Sequence, residues 1–158
     1  MHKNVVYIGS DHAGFKMKQL ISAHLKRHGI EVHDEGASAL VPNDDYPDYA
    51  LRVCTQVLRH RAKGILVCGS GQGMDIAANK VPGIYASIAW NKESAAVAKE
   101  HDNVNVLCLA GKLTKPSVAK EIVSTWIKLR FSDEPRHVRR VNKIKQIENA
   151  FFMRKKLP

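Results

Sequence analysis

The chain has 158 residues, 44% apolar and 25% charged side chains, and a formal net charge of +10. That is the size and balance of one globular domain, residues 1–158, with a single sizeable core. No apolar run approaches the roughly 20 residues needed to span a bilayer, and the start MHKNVVYIG lacks a signal-peptide pattern, so the expected location is cytoplasmic, away from any membrane. Cys54, Cys68 and Cys108 are odd in number and far apart with no CxxC pair, which argues against a disulfide framework and a zinc knuckle.

In chain order, apolar runs alternate with helical patterns, the signature of βαβ units and a parallel sheet. Residues 5–8 read as a first strand ended by Gly9. Met17, Leu20, Ile21, His24 and Leu25 then fall at helical spacing up to Gly29. Residues 30–33 form a short second strand, and 34–45, with Gly, Ser, Pro and Asn, a loop. Pro47 suits the first turn of a helix whose apolar stripe is Ala50, Val53, Cys54, Val57 and Leu58, so Cys54 is expected in the core.

Residues 64–68 are the third strand, followed by a glycine loop and a helix from about Met74. Residues 84–89 and 104–109 give two further strands around a helix over 92–101, with Cys108 inside the second of them as a packing residue. Pro116 opens a helix through Val118, Ile122, Val123, Trp126 and Ile127. After Pro135, Val138, Val141, Ile144, Ile147 and Phe151 mark a last one. The expected fold is α/β, a Rossmann-like three-layer sandwich with a parallel sheet of about five strands and a C-terminal helical extension.

Ligands of an open parallel sheet bind beyond the carboxyl ends of its strands. There the sequence delivers Ser10-Asp11-His12 after strand one, Cys68-Gly69-Ser70-Gly71-Gln72-Gly73 after strand three, and Gly111-Lys112 after strand five. Bare glycine backbones let successive N–H groups turn toward one anion, and a following helix adds its positive end. The spacing is not GxGxxG, so a nicotinamide cofactor is disfavoured. A thiol at Cys68, ahead of that helix, is placed for chemistry. His101 and the pair Asp11-His12, each explicable as helix-end residues, are expected to join Cys68 at one edge as acid, base and anchor.

The basic tail has two readings. Arg136, Arg139, Arg140, Lys143, Lys145, Arg154, Lys155 and Lys156 stand against the single acid Glu148 between residues 136 and 158. They could hold a small phosphate or a nucleic acid, but no aromatic stacking strip or groove-binding motif supports the second.

Five stretches carry a resemblance: SDHAG at 10–14, DYPDYA at 45–50, CGSGQGMDIAANK at 68–80, HDNVNVL at 101–107 and RHVRRV at 136–141. Together they resemble ribose-5-phosphate isomerase type B, of the group that includes the galactose-6-phosphate isomerase subunits. The resemblance implies an aldose–ketose isomerase, without metal or organic cofactor, interconverting ribose 5-phosphate and ribulose 5-phosphate in the non-oxidative pentose phosphate pathway. The alternative it leaves is a six-carbon substrate such as allose or galactose 6-phosphate.

By the same resemblance Cys68 is the base that moves the C2 proton to C1, His101 the acid that opens the sugar ring, and Ser70 the hydroxyl assisting it. The amides of Gly69, Gly71, Gln72 and Gly73 would steady the cis-enediolate. Tyr46 would lie beside the sugar, Asp11 would bind a hydroxyl, and His12, Lys112, Arg136 and Arg140 would lie at the phosphate, with His137 adjacent as a further ligand or a bystander. Asp102 stands where the family usually has asparagine, Lys112 where many members have arginine, and Met74 where another branch has a glutamate base. The family's arginine segment comes from the second subunit. A homodimer with shared sites is therefore implied, with 132–158 packing on the partner and tetramers of paired dimers left open.

Overall fold

The structure is a computed structural model that describes residues 5–153. Its elements are β1 (Val5–Ser10), α1 (Phe15–Arg27), β2 (Glu31–Asp34), α2 (Tyr46–His60), β3 (Lys63–Cys68), α3 (Gln72–Ala78), β4 (Ala86–Ile88), α4 (Lys92–Glu100), β5 (Val106–Ala110), α5 (Pro116–Lys128) and α6 (Pro135–Met153). The five strands form one sheet in the order β2-β1-β3-β5-β4, and every pairing is parallel. The expected α/β fold is the one observed.

Period-two alternation along the strands divides the core in two. Val6, Ile8, Ile65, Val67, Leu107 and Leu109 point to one face, where Met17, Ile21 and Leu25 of α1, Ala95 and Ala98 of α4, and Ile122, Val123 and Trp126 of α5 cover them. Tyr7, Leu66, Cys68, Val106 and Cys108 point to the other, under Tyr49, Ala50, Val53, Cys54 and Val57 of α2 and Met74 and Ala78 of α3. Both faces of the central strands are therefore dry, and each fully buried Ile, Leu or Val contributes roughly 1.5–3 kcal/mol. All three cysteines sit on the second face and are free thiols. Cys54 and Cys108 are fully buried, and burial pushes the Cys54 thiol up to about 12 and the Cys108 thiol well above its ordinary value.

Local signals decide the helix ends. Gly29, at φ 75, lets the chain leave α1 as Ile30 N–H donates to Leu25 O at 3.1 Å. Asn91 and Ser94 form a reciprocal capping box that starts α4. Several boundaries differ from the sequence expectation, β5 among them at Val106–Ala110 rather than 104–109, and two have a clear cause. The helix after the glycine loop begins at Gln72, two residues earlier than Met74, because Gly71 at φ 81 makes the turn by itself.

The fourth strand is only Ala86–Ile88, against an expected span of 84–89. Asn79 side-chain atoms bond both the N–H and the carbonyl of Ala86, at 2.9 and 3.1 Å, and Asn105 does the same for Tyr85 N–H and Gly83 O, both at 2.9 Å. Amide side chains thus replace a strand partner at that edge of the sheet, and Asn79, the N of the IAANK stretch, serves packing there. No helix among the described residues is long and apolar enough to cross a membrane.

α6 lies along the body of the fold, where its Glu148 side chain accepts the Gly83 N–H at 2.9 Å. Val141 is buried, whereas Ile144, Ile147 and Phe151, which continue its apolar stripe, are 43%, 59% and 66% exposed. The expected basic end at Arg154, Lys155 and Lys156 lies outside the described residues.

Candidate active site

Three strand ends close on one another around Cys68. The strand order places β1 and β3 side by side, with chain connections leaving in opposite directions, so a crevice opens between their carboxyl ends. Gly111 N–H donates to Cys68 O at 2.7 Å and Lys112 N–H to Gly69 O at 3.0 Å, which ties the β5 exit to the glycine loop. From the β1 side Gly14 presses against the same point. A Cβ on Gly14 would fall 2.3 Å from Val67 O, so only glycine allows this approach.

Cys68 is 5% exposed, and its Sγ accepts the Gly71 N–H at 3.1 Å. The loop is not a free cradle of amides, however. The Gly71 N–H is committed to the sulfur, and the Gln72 N–H reaches Ser70 Oγ at a long 3.4 Å. Gly73 lies inside α3, and its lack of a side chain has a steric reason. A Cβ there would meet the Tyr46 ring at 2.7 Å. Tyr46, the first residue of α2 and 38% exposed, thereby lies over the start of α3 beside the thiol loop.

The other residues expected at this edge are present. Asp11 is 7% exposed and accepts the Gly14 N–H at 2.9 Å, fixing the turn into α1. His12 and Lys112 line one cavity of about 610 Å³ with Gly111, Asn43 and Phe15. The aliphatic stem of Lys112 covers Gly69. Met74, where a glutamate base would stand in another branch, is fully buried among apolar side chains. Among the described residues no group of three or more His, Cys, Asp or Glu side chains could hold a metal ion.

His101 is not at this edge, contrary to the expectation that it joins Cys68 there. α4 runs back against the strands, so its C-cap His101 arrives where β5 begins, beside the start of β3, and Gly64 N–H donates to Asn105 O at 2.8 Å. Cys68 terminates the far end of β3, about 16 Å of strand away. At the His101 edge a second cluster forms. His101 stacks on His137, ring centroids 4.1 Å apart, and Ser132 N–H donates to Glu100 O at 3.0 Å. His137 is 1% exposed and its Nδ1 lies 2.7 Å from Ser132 Oγ. Burial, with the charges of His101 and Arg136 beside it, holds its pKa below that of a free histidine.

Arg136 pairs with Glu134 at 2.9 Å, and Arg140, one turn further along α6, is exposed. Asp102, also exposed, follows His101. Asn103 takes up a left-handed φ of 52, and its side chain accepts from Lys99 Nζ at 2.8 Å. One chain therefore carries two half-sites on opposite edges of the sheet: thiol, Asp11, His12, Tyr46 and Lys112 on one, His101, His137, Arg136 and Arg140 on the other.

Sequence reasoning missed Asp44 and Ser132. Asp44 accepts two hydrogen bonds from His12 across 32 residues of chain, and Ser132 anchors His137. Neither has a local signal, since both act only through tertiary contact.

The sequence model of the Ribose/Galactose Isomerase family matches residues 6–144. A protein of Mycoplasma genitalium named probable ribose-5-phosphate isomerase B is 42% identical over 145 residues, 90% of this chain and 95% of its own. The Trypanosoma brucei type B ribose 5-phosphate isomerase structure superposes with a TM-score of 0.87 at 42% identity, covering 92% of this chain and 99% of that one. A Mycoplasma genitalium ribose-5-phosphate isomerase B structure with bound ribulose-5-phosphate gives 0.89 at 40% identity, over 94% of this chain and 99% of that one. Strand order, the thiol loop and these matches agree, and the chain belongs to the ribose/galactose isomerase family.

Proposed function

We propose that the protein interconverts ribose 5-phosphate and ribulose 5-phosphate, as a step of the non-oxidative pentose phosphate pathway, in a homodimer whose two sites are each built from both subunits. The observation that carries the chemistry is the Cys68 sulfur at the crevice of the sheet, holding the Gly71 N–H at 3.1 Å. The Cys68 thiolate takes the C2 proton of the open-chain aldose, leaving a cis-enediolate. The same sulfur returns that proton to C1, while a proton passes from the C2 oxygen to the C1 oxygen. A base so placed contributes roughly 10²–10⁴-fold. The remaining loop amides between Gly69 and Gly73 steady the enediolate oxygen, each such donor being worth about 2.7–4 kcal/mol when removed.

Ring opening needs a second acid–base group, and within one chain His101, the one expected for it, lies at the opposite end of the strands from Cys68. The separation of half-sites supports the shared dimer. A second copy that lays its His101 edge on the Cys68 edge brings His101 to the sugar ring and Arg136 and Arg140 to the phosphate held by His12 and Lys112, while the buried His137, also expected at the phosphate, stays behind His101. The exposed stripe of Ile144, Ile147 and Phe151 is then covered by the partner. By two-fold symmetry the same contact builds the second site. Remote phosphate binding pays for orientation at the reacting carbons.

The relatives' substrate supports five-carbon over six-carbon sugar phosphates. The test follows ketose formation from ribose 5-phosphate, with allose 6-phosphate and galactose 6-phosphate alongside. Turnover of the pentose phosphate with little of either hexose is expected, and turnover of a hexose phosphate alone would overturn the substrate assignment.

A further inference from the structure

His12 is held by a residue far along the chain. Asp44 Oδ1 accepts its backbone N–H and meets its ring Nδ1, each at 2.8 Å, although the two residues are 32 positions apart. The Asp44 side chain is 7% exposed and that of His12 is 38% exposed. Burial alone would raise the Asp44 carboxyl pKa. The two donors from His12, with the Tyr49 hydroxyl beside them, outweigh burial and hold it below the usual range. Asp44 is therefore an anion that accepts only, and the Nδ1 facing it must carry a proton. Nε2 is left as the outward edge of the ring.

The segment that delivers Asp44 is itself fixed at its other end. Lys18, 1% exposed, donates to Asp34 Oδ1 at 3.0 Å and to Ala37 O at 2.8 Å. Residues 35–45 are thus clamped between α1 and the exit of β1. His12 lines the cavity that Lys112 also faces.

We infer that Asp44 is a positioning residue for substrate binding, which fixes the His12 ring so that its Nε2 edge meets the phosphate of the sugar phosphate. With Nδ1–H given to Asp44, the protonated ring offers Nε2–H to a phosphate oxygen, and the carboxylate balances the imidazolium charge. The inference rests on the reading above that places His12 at the phosphate. The arrangement parallels a carboxylate behind a histidine ligand, where the partner behind the ring sets its tautomer and aim.

The experiment measures KM and kcat for ribose 5-phosphate in His12→Ala, Asp44→Ala, Asp44→Asn and the His12→Ala/Asp44→Ala double variant. Asp44→Ala should raise KM about fivefold or more with a smaller change in kcat. Asp44→Asn, which keeps an acceptor at the same place, should recover part of that loss. In the His12→Ala background the Asp44 change should add nothing. A KM penalty of equal size in that background would make Asp44 a loop tether and overturn the inference. An unchanged KM in Asp44→Ala with a raised one in His12→Ala would also overturn it, leaving the phosphate reading intact. An unchanged KM in His12→Ala would remove the phosphate reading and the inference with it. Nitrogen NMR of the unaltered protein, at a pH where the ring is neutral, tests the point without any variant. A single Nδ1–H tautomer of His12 is expected, and an Nε2–H tautomer would refute the inference.

Discussion

His101 lies against His137, the ring planes 27° apart and the centroids 4.1 Å apart, and the buried His137 ring is fastened to Ser132 at 2.7 Å. Two imidazoles in contact cannot both carry charge cheaply. This stack is what couples the end of α4 to the start of α6, and it makes the edge that carries them sensitive to acid.

That sensitivity has a definite sign. Burial and the neighbouring charges lower the folded pKa of His137 from 6.5, so below about pH 6.5 the unfolded chain binds more protons at this residue than the folded one. Its contribution to stability is complete above that value and is lost as pH falls through the folded pKa. Urea unfolding of the protein and of His137→Asn at about pH 7.5 and about pH 5 should therefore show their stability difference shrinking in acid. A difference that grows in acid would mean that the ring is held charged.

The proposed sharing of each site between two subunits predicts complementation. Cys68→Ala and His101→Ala should each be inactive alone. Refolded together, they form mixed dimers in which one site carries both defects and the other neither. Random mixing then restores about a quarter of the sites. No recovery, with mixed dimers demonstrated by mass, would place both residues in a site within one chain.

The glycines around the thiol should not behave alike. Gly14→Ala sets a methyl 2.3 Å from the Val67 carbonyl oxygen, a backbone atom that cannot turn aside, whereas Gly73→Ala meets the Tyr46 ring, which can swing outward. Gly14→Ala should cost roughly 1–3 kcal/mol or more in denaturant unfolding. Gly73→Ala should cost less in stability but raise KM if the displaced Tyr46 ring is the one that lies beside the sugar. Equal stability losses would show the Tyr46 ring to be as immobile as backbone.

Thiol labelling separates the three cysteines. Cys54 and Cys108 have no exposure and thiols raised by burial, Cys54 to about 12, so a charged alkylating reagent at neutral pH should leave both untouched in the folded protein. Cys68, at the crevice, should take the label slowly, with activity lost in step and protection by ribose 5-phosphate. Mass spectrometry of labelled peptides checks this, and label at Cys108 before Cys68 would contradict the burial order.

The parallel sheet, the helix faces and the Cys68 loop are legible residue by residue along the chain. Each rests on local rules: apolar residues at every second or every third to fourth place, glycine where the chain turns sharply, proline in a first turn. Val6, Ile8, Ile65 and Val67 on one face and Tyr7, Leu66 and Cys68 on the other follow from side-chain alternation alone. The motifs also supplied Asp11, His12, Cys68 and Lys112 as candidates, because each lies at or just beyond the carboxyl end of a strand.

Which of those residues touch, and what holds each in place, follows from packing. A helix that joins two parallel strands must return along the sheet and carry its C-cap His101 to the opposite end from Cys68, but only packing sets His137 of α6 against it. The same holds for Asp44 behind His12, for Ser132 behind His137, and for the Tyr46 ring that explains Gly73. Each joins segments far apart in the chain, and such contacts are set by packing rather than by local propensity.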